Sequence, residues 1–127
     1  MAEVVKNRPQ ELTKAELEIM QVIWQKEKVL VHDILAELPK PKPAYNTVST
    51  IVRILENKGF VSHKAYGRTY EYFPIVAKED YTNTYMRTVL DNFFEGSISR
   101  MVNFFSAQKS ISLEETDEIM KILNENK

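Results

Sequence analysis

The sequence predicts a mainly α-helical protein with one small β-hairpin. Apolar residues recur at three- and four-residue steps through most of its 127 residues. That period changes to two only around Gly67-Arg68, between residues 60 and 73. Two capping boxes, Thr13-Lys-Ala-Glu16 and Ser112-Leu-Glu-Glu115, mark helix starts near opposite ends of the chain.

Residues 1–10 read as a loose N-terminal arm without the apolar core of a signal peptide. The first helix follows Thr13, runs to about residues 26–28, and turns Leu17, Met20, Ile23 and Trp24 inward. A second, short helix covers Val31 to Leu38, with Ile34, Leu35 and Leu38 inward. Pro39-Lys-Pro-Lys-Pro43 cannot be helical, because proline lacks an amide donor and restrains the residue before it. A third helix starts near Tyr45. Val48, Ile51, Val52 and Leu55 form its apolar stripe, and Gly59 ends it. Two strands then flank Gly67-Arg68, and Pro74 closes the hairpin. Three helices and a hairpin, in that order, make a winged helix-turn-helix.

The third helix sets Asn46, Thr47, Ser49, Thr50 and Arg53 opposite its apolar stripe, with no acid before Glu56. Asn and Arg offer paired hydrogen bonds to base edges in a DNA major groove, and Thr and Ser reach bases or phosphates. Net charge is only −1, but its distribution is uneven. Residues 38–70 hold six basic groups (Lys40, Lys42, Arg53, Lys58, Lys64 and Arg68) against the single acid Glu56. Residues 76–127 hold six basic and nine acidic groups. A local basic strip attracts phosphate even on a nearly neutral protein. Lys64 and Arg68 in the hairpin are the expected backbone contacts. Tyr66 would pack on sugar or cover the core.

From residue 76 onward the pattern is helical. One helix runs from Lys78 to Phe94, with Tyr81, Tyr85, Val89 and Phe93 at four-residue steps, until Gly96 interrupts it. A second, Ser97 to Ala107, carries Ile98, Met101, Val102, Phe104 and Phe105. A third follows Ser112 with Ile119, Met120, Ile122 and Leu123. Such short helices have little of their own to bury this surface against, and exposing it costs roughly 25 cal/mol per Å². A second copy of the chain is the simplest cover. Tyr85, Val89, Phe93, Met101, Phe104, Phe105, Ile119 and Leu123 are the expected dimer contacts. The expected domains are therefore a winged-helix DNA-binding domain, 10–75, and C-terminal dimerisation helices, 76–127.

The absence of cysteine excludes disulfides and thiolate metal sites. With no apolar run long enough to span a membrane, the chain is expected to be soluble and cytoplasmic. His32 and His63 lie on different elements without partners at ligand spacing, so both read as surface residues and no metal or other cofactor is expected. No Gly-rich phosphate loop or nucleophile–base pair points to an enzyme.

Three blocks resemble the penicillinase-repressor (BlaI/MecI/CopY) family of bacterial winged-helix regulators. They are Leu12-Thr-Lys-Ala-Glu-Leu-Glu-Ile-Met-Gln-Val-Ile-Trp24, the Tyr45–Val61 segment, and Arg100-Met-Val-Asn-Phe-Phe105. The resemblance covers nearly all of residues 10–125. It implies a homodimer that binds a palindromic DNA operator and blocks transcription. In antibiotic-responsive members a membrane sensor metalloprotease triggers cleavage between an Asn and a Phe, and the matching bond here is Asn103–Phe104. The chain departs from the family pattern twice. It lacks the tail cysteines of the copper-responsive branch, and its third helix starts with Asn46-Thr47 where many members have a Lys-Thr pair. An Asn amide and a Lys ammonium read different base edges. The second reading is a winged-helix protein–protein interaction module without sequence-specific DNA binding.

Overall fold

The computed structural model describes residues 11–126; the arm expected over residues 1–10 lies outside them. The described elements are α1 (Lys14–Lys26), α2 (Val31–Glu37), α3 (Tyr45–Asn57), β1 (Val61–Tyr66), β2 (Thr69–Pro74), α4 (Lys78–Phe94), α5 (Ile98–Ala107) and α6 (Leu113–Glu125). They form two compact units that divide inside α4, between Tyr85 and Met86.

In the first unit, α1 starts on the expected capping box. The Glu16 amide donates to Thr13 Oγ1 at 3.2 Å, and the Thr13 amide donates to Glu16 Oε1 at 2.8 Å. Ile19, Met20, Val22 and Ile23 are buried, whereas Leu17 and Trp24 are only partly so. The buried stripe is wider than the expected one because α2, α3 and β2 all pack against α1. The Trp24 indole N–H donates to the Val76 carbonyl at 2.9 Å.

A short loop joins α1 to α2, which buries Val31 and Ile34. Leu38, just past its end, is also buried. At the end of α2 the Leu35 carbonyl accepts the Leu38 amide at 3.3 Å, and Lys42 Nζ adds bonds to the Leu35 and Ala36 carbonyls at 3.0 and 2.9 Å. The prolines between residues 39 and 43 then carry the chain to α3.

Val48, Val52 and Leu55 of α3 are fully buried, and Ile51 is partly so. Beyond Asn57 the backbone turns left-handed at Gly59, with φ 86°. The Gly59 amide donates to the Glu56 carbonyl and the Phe60 amide to the Leu55 carbonyl, both at 3.0 Å. This is the Schellman pattern, and its usual apolar contact falls on Phe60 and Leu55 in the core.

The turn launches the antiparallel hairpin, in register from Val61 opposite Pro74 to Tyr66 opposite Thr69. Pro74 thus ends β2 inside the ladder instead of standing beyond it. Gly67 takes φ 63° at the first central position of the two-residue loop, where a type II′ turn requires glycine. A third strand contact was not legible in the sequence. Val29 bridges Tyr72 through amide–carbonyl bonds of 2.9 and 2.7 Å, tying the α1–α2 loop to the hairpin. A single bridging residue has no periodicity to betray it.

Tyr81, grouped above with the tail row, instead completes this core. Its ring centroid lies 5.7 Å from that of Phe60 and 6.0 Å from that of Trp24. Its hydroxyl accepts the buried Leu12 amide at 2.9 Å. The first turns of α4 therefore belong to the winged unit, and the compact division falls later than the 75/76 boundary expected from the sequence.

One buried charge joins the start of α1 to the end of α3. Glu16 is 5% exposed, and both its oxygens accept from Lys58 Nζ at 2.8 and 2.9 Å. Burial alone would raise the Glu16 pKa. The bonds and charge of Lys58, with the Thr13 amide, outweigh it and hold the carboxyl below the usual carboxylate range.

The second unit comprises the rest of α4 with α5 and α6. Positive φ at Glu95 and Gly96 breaks the helix, and Ser97 Oγ caps α5 by accepting the Arg100 amide at 3.2 Å. Ser112 and Glu115 form the second capping box. Phe94 and Phe104 meet edge to face at 5.7 Å. No residue of α5 or α6 is fully buried, and Phe93 and Leu113 are 76% and 85% exposed.

Two measurements check the core. Tyr81→Phe leaves the buried Leu12 amide without its acceptor, and urea unfolding at fixed protein concentration should show a loss of about 1–2 kcal/mol. Glu16→Gln keeps a capping residue but discharges the pair with Lys58. The folded-state pKa of Glu16 is depressed, so its contribution is present above the unfolded value and is lost as pH falls through the folded one. The stability gap between wild type and Glu16→Gln should stay constant from about pH 6 to 8 and narrow below about pH 4.5. A gap that widens on acidification contradicts the assignment.

Candidate nucleic-acid interface

Burying Val48, Val52 and Leu55 fixes where every other α3 side chain points. At about 100° per residue, Asn46, Thr50, Arg53 and Asn57 lie opposite that stripe, and all four are exposed. The five expected residues do not all share this line. Thr47 sits on one flank, exposed beside Ile51 and the proline segment. Ser49 sits half-buried on the other flank, toward the hairpin. The Thr50 hydroxyl donates to the Asn46 carbonyl at 2.8 Å, which commits its proton to the backbone.

Ser49 lines a groove of about 250 Å³ with His32, Tyr45, Arg68, Thr69 and Tyr70. The groove runs from the start of α3 to the hairpin tip, includes Arg68 in its lining, and is lined by no acidic residue. Lys64 is exposed on β1 with Nζ 5.4 Å from the Tyr66 ring centroid, a cation–π distance. Its cross-strand partner is Glu71.

The six basic groups of residues 38–70 do not act as one strip. Lys58 is bound to Glu16, and Lys42 is bound to the end of α2. Glu56, the one acid of the segment, points to the hairpin instead of outward. Its carboxylate lies 2.8 Å from His63 Nδ1. His63 is thus half-buried and paired, not the partnerless surface histidine expected. The tight turn at Gly59 folds β1 back along α3, which brings residue 63 onto residue 56. The His63 ring also stacks on Tyr70 at 4.3 Å and lies 5.6 Å from Tyr72. Burial, followed by the Glu56 charge, pushes the Tyr72 hydroxyl above its ordinary pKa, so it stays neutral in this cluster. His32 is exposed, 4.7 Å from the Tyr45 ring. Among the described residues no cluster of three or more His, Asp or Glu side chains could hold a metal.

Sequence reasoning missed Asn57, Tyr45 and Tyr70. Asn57 lies four residues after Arg53 and is legible from the helical period alone. The two tyrosines become neighbours only when the hairpin folds back.

Of the expected dimer contacts, Phe93, Phe104, Phe105, Tyr85 and Leu123 are exposed in the single chain. Val89, Met101 and Ile119 are half-buried. Asn103 and Phe104 are exposed side chains in the middle of α5, so their shared peptide bond is helical. No described helix is long and apolar enough to cross a membrane.

The family model for "Penicillinase repressor" matches residues 12–125. The penicillinase repressor of Bacillus licheniformis is 32% identical over 124 residues, covering 97% of this chain and 96% of that protein. The methicillin resistance regulatory protein MecI of Staphylococcus aureus (strain N315) is 26% identical over 119 residues, covering 93% and 97%. The solution structure of the DNA-binding domain of the repressor BlaI superposes with a TM-score of 0.50 at 33% identity, covering 59% of this chain and 92% of that one. With its capped α1, its exposed polar α3 face and a family match over nearly its whole length, the chain belongs to the penicillinase repressor family.

Proposed function

We propose that this protein is a transcriptional repressor that binds operator DNA through α3 and the hairpin. The observation that carries the proposal is the outward line Asn46, Thr50, Arg53 and Asn57, backed by a fully buried apolar stripe and cleared of acid by the Glu56–His63 pair. The α3 line enters the major groove, where Asn46 and Arg53 reach base edges. Arg68 and Lys64 on the hairpin follow the phosphate backbone, which sets orientation and supplies salt-dependent affinity. The work is binding, with no catalysis, and it takes place in the cytoplasm where the operator is.

The active form is a homodimer on a palindrome, with half-sites about one helical turn apart. The exposed apolar surface of α4–α6 supports this, since a second copy would remove it from water. Joining two reading heads gives each a high effective concentration at its half-site, so losing the dimer costs orders of magnitude in affinity without losing a DNA contact. Cleavage at Asn103–Phe104 by a membrane sensor metalloprotease would act at this point. The bond lies within α5, so the helix must open locally before a protease can seat it. Cutting there would detach α6 from the DNA-binding unit.

Arg53→Ala should cost about 1–3 kcal/mol at the operator. Wild-type affinity should fall steeply with salt. Fluorescence anisotropy across a salt series checks both, and an unaltered affinity with a flat salt profile rejects the proposal. Phe93→Asp places a charge on the most exposed aromatic ring of the tail. It should shift sedimentation toward monomer and weaken full-operator binding at least tenfold, with half-site affinity unchanged. A variant that stays dimeric places the interface elsewhere.

A further inference from the structure

One large apolar side chain stands on the outer side of α3. Ile54 is 39% exposed. An isolated exposed isoleucine is ordinary on a protein surface. This one is next to Arg53 in sequence and one helical turn from Thr50, at the border of the polar line described above. Thr50 itself presents less polarity than its name suggests. Its hydroxyl proton is committed to the Asn46 carbonyl at 2.8 Å, so it offers a ligand no donor, only the hydroxyl oxygen as an acceptor and the γ-methyl. The outer face of α3 therefore has two chemistries. Asn46 and Arg53 form a hydrogen-bonding edge, and Thr50 with Ile54 forms an apolar edge.

In the major groove only thymine among the four bases presents a methyl group. An apolar edge placed there gains by covering that methyl and gains nothing from the polar edges of the other bases. We infer that Ile54 and the Thr50 methyl are specificity-determining contacts that read the 5-methyl group of thymine in each half-site. The inference rests on the proposed DNA-binding function and adds to it the base that this part of the helix selects.

Replacing thymine by deoxyuridine removes only the methyl, so the test isolates this contact. The duplex is one selected by the wild-type protein from a random pool, with single thymine-to-deoxyuridine changes across a half-site, and the readout is fluorescence anisotropy. At least one position should bind roughly three- to fivefold more weakly as deoxyuridine, the scale of one buried methyl. Ile54→Ala should bring that ratio to about one at the same position. Ile54 is exposed on a helix where alanine is favourable, and circular dichroism checks that the variant folds.

Thr50 supplies a second arm. Thr50→Val keeps the methyl and should keep the ratio of thymine to deoxyuridine affinity, whatever its overall affinity, whereas Thr50→Ser keeps the hydroxyl and should lose that ratio. Tight binding of thymine and deoxyuridine duplexes with equal affinity at every position overturns the inference and leaves the repressor function standing. So does an Ile54→Ala variant that keeps the ratio, or a selected half-site without thymine. Failure to bind any duplex, visible with the unsubstituted operator, would remove both.

Discussion

The structure depends on the seating of α3. Val48, Val52 and Leu55 lie at zero exposure in the core, and a helix buried along one stripe has no rotational freedom left. What faces outward is therefore decided by what is buried. The C-terminal end of α3 is held as well. Glu16 on α1 binds Lys58 just past its last turn, and the Schellman closure at Gly59 fixes where the chain leaves. The proposed role of this face in matching base pairs calls for such rigidity, because loosely held side chains lose binding energy to ordering.

The same contacts shape the electrostatics of the face. Glu56 lies on the helix proposed to meet a polyanion, yet its carboxylate is turned to His63 on β1. Lys58, which a charge count would assign to the DNA side, is spent on buried Glu16. The two pairings remove one acid and one base from the surface. What remains outward on α3 is short polar side chains, one guanidinium and one isoleucine. In the proposed function, base selectivity on such a face would come from shape and hydrogen bonding more than from net charge, and the hairpin cations would supply attraction to phosphate.

The C-terminal unit has the opposite balance. Its helices are individually well started, with Ser97 and Ser112 capping α5 and α6. Capping determines where a helix begins; it does not hide apolar surface. Phe94 against Phe104 is an edge contact inside the unit, while Phe93, Leu113, Ile122 and Leu123 stay open to water. Tyr81 marks where this balance changes along α4. It closes the winged core against Trp24 and Phe60, whereas Phe93, three turns on, has no such cover.

Much of this was legible in the residues alone, for local reasons. Thr13 and Glu16 announce α1 because a capping box acts within four residues, and Gly59 ends α3 because few other residues take its backbone angle. Gly67-Arg68 and the alternation around them specify the hairpin. The stripe of α3, and hence its polar line, follows from a period of 3.6 residues. Tertiary structure alone decided what joins distant parts of the chain. It paired Lys58 with Glu16 and His63 with Glu56, bridged Val29 to Tyr72, and placed Tyr81 in the first core although its spacing matched the tail. Such contacts link residues through space, and a periodicity along the chain carries no record of them.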